Sequence, residues 1–156
     1  MAVLGIVPAR GGSKRIPMKN IALVNGRPMM ANILLAARES GIFDKVHVST
    51  DNEEIALVAK ELGFKPEFMR DCSIADDYTP LQPVLKWVLA EFESKGEFYD
   101  TIFLLMPSAI LVDPSDLKKG LQRFNENNRK NPLMAMAPYS VPVEWAYQVD
   151  EVSGLA

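Results

Sequence analysis

Cysteine and histidine are almost absent from this chain of 156 residues, which holds one of each, Cys72 and His47. A lone cysteine forms no internal disulfide, which suits a reducing compartment. Cys72 also lacks a basic partner for nucleophilic work. His47 sits inside a strand-like run, where a structural role is expected. No apolar run approaches the roughly 20 residues that a membrane span needs. The first residues do not combine a charged n-region, a hydrophobic stretch and a cleavage site, so secretion is not expected. A cytoplasmic protein without a membrane partner is the expectation.

Acidic residues are missing from residues 1 to 38, which hold Arg10, Lys14, Arg15, Lys19, Arg27 and Arg38. That segment carries +6, so the chain's net charge of −3 leaves −9 on the other 118 residues. One basic segment on an acidic protein suggests a small anionic ligand. A nucleic-acid binder spreads positive charge over a whole face, and none is expected here.

The basic residues concentrate in VPARGGSKRIPMKN, Val7 to Asn20, after the short apolar run Val3 to Val7. That run reads as a buried strand. Gly11 and Gly12 let backbone N–H groups converge on an anion, and Arg10, Lys14, Arg15 and Lys19 surround it with charge. The spacing fits neither GxGxxG nor GxxxxGK[ST]. The residues alone specify a polyphosphate or nucleotide site at the carboxyl end of the first strand of an α/β sheet.

The length suits one domain, residues 1–156, and 48% hydrophobic with 24% charged residues is ordinary for a globular chain. Strand and helix signals alternate. Asn25-Gly26 marks a turn, Pro28 suits a first helical turn, and Met30, Ile33, Leu34 and Ala37 recur at helical spacing up to Gly41. Lys45 to Ser49 reads as a second strand. Thr50 or Asp51 caps the next helix, with Ile55, Val58, Ala59 and Leu62 inward and Gly63 at its end. Further strands are expected at Glu67–Met69, Thr101–Met106 and Leu133–Ala137. Thr79-Pro80 opens a helix as cap and first residue, and Asp113-Pro114 opens another. Val141 to Val149 reads as extended and Glu151 to Ala156 as a tail. The alternation predicts a parallel sheet flanked by helices.

The same loop closely resembles the signature of the cytidylyltransferases that activate nine-carbon acidic sugars: sialic, pseudaminic and legionaminic acid. Three further segments agree in order and spacing: Ser40 to Gly63, Phe68 to Leu85 and Leu104 to Leu121. ADDYTP and the later YSVPVEWA lean toward the pseudaminic acid branch. The resemblance implies a three-layer, Rossmann-like α/β fold, mostly parallel, with helices on both faces. It also implies that the chain lacks a C-terminal region carrying metal carboxylates, part of the sugar pocket and a dimer contact, so metal ligands stay unassigned.

By that resemblance Arg10, Gly11, Gly12, Ser13, Lys14, Lys19 and Asn20 hold the nucleoside triphosphate, with Arg10, Lys14 and Lys19 as the catalytic cations. Arg70 lies near the nucleotide, Thr79 and Pro80 approach the cytosine, and Met106, Pro107 and Ser108 line the sugar side. Met18 stands where glycine is usual, and Asp71 where proline is common. The implied reaction is attack of the sugar's anomeric hydroxyl on the α-phosphate of CTP, with Mg²⁺ as cofactor and a homodimer as the complete form. Fixed cations and N–H donors stabilise the charge that gathers on the phosphoryl oxygens. Asp51 either faces the site or caps a helix, and Asp76 and Asp77 either bind metal or lie in a solvated loop. A nucleotide binder without turnover, or a transferase for the eight-carbon sugar Kdo, are the competing readings.

Overall fold

The chain runs β1 (Val3–Pro8), β2 (Leu23–Val24), β3 (Arg27–Pro28), α1 (Met29–Ser40), β4 (Lys45–Ser49), α2 (Glu53–Glu61), α3 (Leu81–Ser94), β5 (Thr101–Leu104) and α4 (Pro114–Glu126). Single 3₁₀ turns form at Lys19–Ile21 and Cys72–Ile74. This computed structural model describes residues 1–136, and the expectations for Val141–Val149 and Glu151–Ala156 lie outside them. No helix among the described residues is long and apolar enough to cross a membrane.

β1 is the middle strand of a parallel sheet ordered β4-β1-β5. Its register sets Pro8 opposite Ser49 and Ile6 opposite Leu104. Because side chains alternate along a strand, β1 feeds two cores. Val7 joins Met30, Ile33 and Leu34 of α1, Ile55 of α2 and Leu117 of α4 on one face. Leu4 and Ile6 join Val88 and Phe92 of α3 on the other. A strand covered on both faces reads as an unbroken apolar run, which accounts for Val3-Leu4-Gly5-Ile6-Val7. The three layers are helices, sheet and helix.

Several boundaries differ from the expectation for a local physical reason. Asn25 and Gly26 both take positive φ (51° and 76°) and turn an antiparallel hairpin of β2 and β3, so Pro28 pairs with Leu23 rather than entering α1. The cap of α2 is Asn52, whose side chain accepts from the Glu54 and Ile55 N–H groups at 3.0 and 3.1 Å. Neither Thr50 nor Asp51 caps it: the Thr50 hydroxyl oxygen accepts from Asn52 N, and Asp51 is engaged elsewhere. Thr79 does not cap α3, because Asp76 takes both its N–H and its hydroxyl, which leaves Pro80 in the cap position. Asp113 does cap α4, in a reciprocal box with Asp116 and with Pro114 in the first turn.

Two expected strands are missing from the described residues. Glu67–Met69 is irregular, as Pro66 offers no N–H and Phe68 turns inward against His47, with ring centroids 4.3 Å apart. Leu133–Met136 is exposed and unpaired, and Ala137 lies outside the described residues. Thr101–Met106 is strand only as far as Leu104, although Leu105 N still donates to Ile6 O at 2.9 Å.

Candidate functional site

The chain passes from β4, on one side of β1, to β5 on the other, so the strand order reverses at β1. In open α/β sheets ligands bind at such a reversal, beyond the carboxyl ends of the strands. A cleft of about 220 Å³ lies there. Its floor is Pro8 at the end of β1. One wall carries Arg10, Ser13, Lys19 and Asn20, and a second carries Arg70, Ile74, Asp76, Asp77 and Thr79. Leu81 and Val84 of α3, with Met106, Pro107 and Ser108 after β5, form the third.

Nine of the expected site residues line this cleft; Gly11, Gly12, Lys14 and Pro80 do not. Gly11 has another role. Its N–H donates to the Asp51 carboxylate at 3.0 Å, so that N–H is not aimed at a ligand. A Cβ at position 11 would lie 2.9 Å from the Asn52 Cβ, a separation only glycine avoids. The loop therefore packs directly onto the start of α2. Met18 adopts φ 49° and ψ 35°, the left-handed conformation for which glycine is the easy residue. The following turn buries Asn20, whose side-chain N–H donates to the Arg10 carbonyl at 2.9 Å and braces the loop from within.

The cations divide into two sets. Arg10 Nη2 meets Asp77 Oδ1 at 2.7 Å, and Lys14 Nζ meets Asp77 Oδ2 at 2.5 Å. Arg10 Nη1 also donates to the Asp76 carbonyl. Lys19 and Arg70 are in no ion pair among the described residues.

Arg70 is the unusual one. It is 5% exposed, and its Nε and Nη2 donate to the hydroxyl and carbonyl oxygens of Ser49 at 3.0 and 2.7 Å. Burial pulls its pKa below the ordinary arginine value, the charge of Asp51 opposes this, and Arg10 adds to it. A guanidinium stays protonated regardless, so a largely buried positive charge lines the cleft. Asp71 does not neutralise it, because its carboxylate caps the 72–74 turn by accepting from Ser73 N at 2.8 Å.

Asp76 and Asp77 are both engaged within the protein. Asp76 shapes its own loop through Tyr78 N and Thr79 N, while Asp77 bridges two cations. Among the described residues no group of three or more His, Cys, Asp or Glu is placed to hold a metal ion. His47 is buried in the core, does not line the cleft, and packs against Phe68 and Phe92, with both ring nitrogens unpartnered among the described residues. Cys72 is exposed.

Sequence reasoning passed over Ser49 as a member of the site's frame and left Asp51 between facing the site and capping a helix; the structure takes it to the site's frame. The register carried the signal: with Pro8 opposite Ser49, residues just past β1 meet Asp51 just past β4.

A parallel sheet flanked by helices, with a cleft and a glycine-bearing cationic loop at its reversal point, places the chain in the open-sheet α/β class. Residues 4–152 match the family model described as Cytidylyltransferase, and the chain belongs to that family. Among its relatives is the pseudaminic acid cytidylyltransferase of Campylobacter jejuni, 38% identical over 151 residues that cover 97% of this chain and 65% of the relative. The CMP-N,N'-diacetyllegionaminic acid synthase of Legionella pneumophila is 28% identical over 155 residues, 99% of this chain and 66% of the synthase. The chain thus spans about two thirds of the length of these curated relatives. In fold it is similar to a CMP:2-keto-3-deoxy-manno-octonic acid synthetase solved with CTP, with TM-score 0.68 and 23% identity over 82% of this chain and 49% of that one.

Proposed function

We propose that this protein binds CTP in the cleft at the carboxyl ends of β1 and β5. It transfers CMP to the anomeric hydroxyl of a nine-carbon acidic sugar. The sugar oxygen bonds to the α-phosphorus as the bond to the β-phosphate bridge breaks; pyrophosphate leaves, and the hydroxyl proton passes to solvent. The observation that carries this reading is Arg70, a buried guanidinium that donates to neutral oxygens of Ser49 and is in no ion pair among the described residues. Asp51 offsets part of that charge from a distance but makes no ion pair with it, and an anion entering the cleft supplies a direct one. Lys19 and, once freed, Arg10 and Lys14 complete a cationic wall for a triphosphate, where fixed donors act on the charge developing in the transition state.

Ser13 and Asn20 are proposed to add hydrogen bonds to phosphate or ribose. Thr79 and Pro80 approach the base, and Met106, Pro107 and Ser108 contact the sugar. The relatives' names favour pseudaminic or legionaminic acid as that sugar. The described carboxylates do not compose a resident metal site, so Mg²⁺ is proposed to arrive with the triphosphate rather than to be stored by these residues. A cytoplasmic homodimer is proposed as the working form. The free Cys72 suits a reducing compartment, and the exposed Leu104, Ile110 and Leu111 beside β5 offer apolar surface for a partner.

A second reading, nucleotide binding without turnover, is favoured by one observation: two of the three cations assigned to catalysis, Arg10 and Lys14, are already paired with Asp77. Pyrophosphate release with CTP, Mg²⁺ and a panel of eight- and nine-carbon acidic sugars separates the two. Release with a nine-carbon acid supports the transferase. CTP binding without release on any sugar supports the binder, and equal affinity for all four nucleoside triphosphates contradicts the cytidine assignment.

A further inference from the structure

We propose that Asp77 is a displaceable anion that occupies the polyphosphate end of the cleft between turnovers and weakens the hold on ligands that carry a pyrophosphate group. The inference rests on reading the cleft as a CTP site. The two carboxylate oxygens are divided, Oδ1 to Arg10 and Oδ2 to Lys14, at 2.7 and 2.5 Å. A phosphate group bridging these cations would use its oxygens in the same way. Two of the cations assigned to the triphosphate are therefore already engaged by the protein's own loop, sharing one carboxylate.

Three features make this contact exchangeable. The loop from Asp71 to Thr79 is shaped by its own bonds, Asp71 to Ser73 N and Asp76 to Tyr78 N, Thr79 N and the Thr79 hydroxyl. Its shape does not depend on Asp77. The Asp77 and Lys14 side chains are 26% and 76% exposed, so water and solution anions reach the pair. Lys14 first, and Arg10 after it, hold the Asp77 carboxyl below the usual carboxylate range, so it is a full charge at neutral pH.

The size of the cleft agrees. At about 220 Å³ it is smaller than the roughly 300–1,000 Å³ usual for small-molecule sites. Detaching residues 76 and 77 from Arg10 is the move that widens it between two of its walls. A triphosphate outbids one carboxylate because it brings more charge and more oxygens to the same two cations. When pyrophosphate is the product, Asp77 competes for those cations again and favours its release.

The test is calorimetric titration of the unsubstituted protein and Asp77→Asn with CTP, inorganic pyrophosphate and CMP, with melting temperatures recorded alongside. The expected result is CTP and pyrophosphate binding about fivefold tighter to Asp77→Asn, with CMP changed less than about twofold, since CMP lacks the phosphates that replace Asp77. Asp77→Ser, which removes the charge with a smaller side chain, is expected to show the same order. Unchanged or weaker CTP and pyrophosphate binding in both variants overturns the proposal and makes Asp77 a tie that holds the site together. A protein that binds pyrophosphate but not CTP defeats the nucleotide reading alone, and the pyrophosphate gain in Asp77→Asn then still decides the role of Asp77. No pyrophosphate binding to any of the three proteins overturns it.

Discussion

The Gly11 N–H donates to the Asp51 carboxylate at 3.0 Å, and this bond joins the basic loop after β1 to the end of β4. It fixes where the loop cations stand without touching a ligand. Asp51→Ala removes the acceptor, and a partly buried bond to a charged group is worth about 1.5–3 kcal/mol. CTP affinity is expected to fall about tenfold or more, with a lowered melting temperature. Asp51→Asn keeps an oxygen acceptor and should retain most of both. If titration finds Asp51→Ala binding CTP like the unsubstituted protein, the loop does not depend on this tie.

The sequence made the basic loop, the alternating elements and the capped helix at Asp113 legible, because each is written in neighbouring residues. What it hid was tertiary competition for polar groups. Asp51 looked like a cap, yet register brings it against Gly11 and leaves the capping to Asn52. Thr79 looked like a cap, yet Asp76 captures it. Phe68 looked like strand, yet its ring is drawn into the His47 and Phe92 core. The pairing of Asp77 with Arg10 joins residues 67 positions apart in loops whose composition suggests only solvation.

Arg70→Met tests whether function or stability keeps the buried charge. Methionine follows the arginine stem without burying a charge, so the melting temperature is expected to stay within a few degrees or rise. CTP affinity is expected to fall about 10–100-fold, the scale of a lost charged hydrogen bond. Lys19→Ala, on the other basic wall of the cleft, should lower turnover by about 10²–10³ with little loss of stability. A large fall in melting temperature with unchanged CTP affinity would make Arg70 a structural residue.

Met18 is in the left-handed region at φ 49°, and its side chain packs against the core formed by α1, α2 and α4. Met18→Ala removes the packing and keeps the strain; Met18→Gly removes both. Alanine is normally the more stable of the two, by reduced backbone freedom. Here the order should reverse, with glycine more stable by about 1 kcal/mol, which denaturant unfolding of the two variants measures. Alanine proving the better residue would show that the backbone leaves this conformation when methionine is replaced.

His47 sets an acid limit on the fold. It is 1% exposed between Phe68 and Phe92, and neither ring nitrogen has a partner among the described residues. Burial above all, with the charges of Lys95, Arg70 and Lys45, pushes its pKa down to about 3 from an ordinary 6.5. Between those values the unfolded chain takes up a proton that the folded chain refuses. The contribution of the neutral ring is thus fully present above pH 6.5 and is lost progressively as the pH falls toward 3, by about 1.4 kcal/mol per unit. His47→Leu removes the titration and two unpartnered polar atoms, so at pH 7 it is expected to be at least as stable as the unsubstituted protein. Its advantage should then widen between pH 6 and pH 4, against the background of carboxylates such as Asp71 and Asp76 that both proteins share. Chemical denaturation at each pH reads the difference directly, and parallel curves for the two proteins would mean that the ring is already protonated in the folded chain.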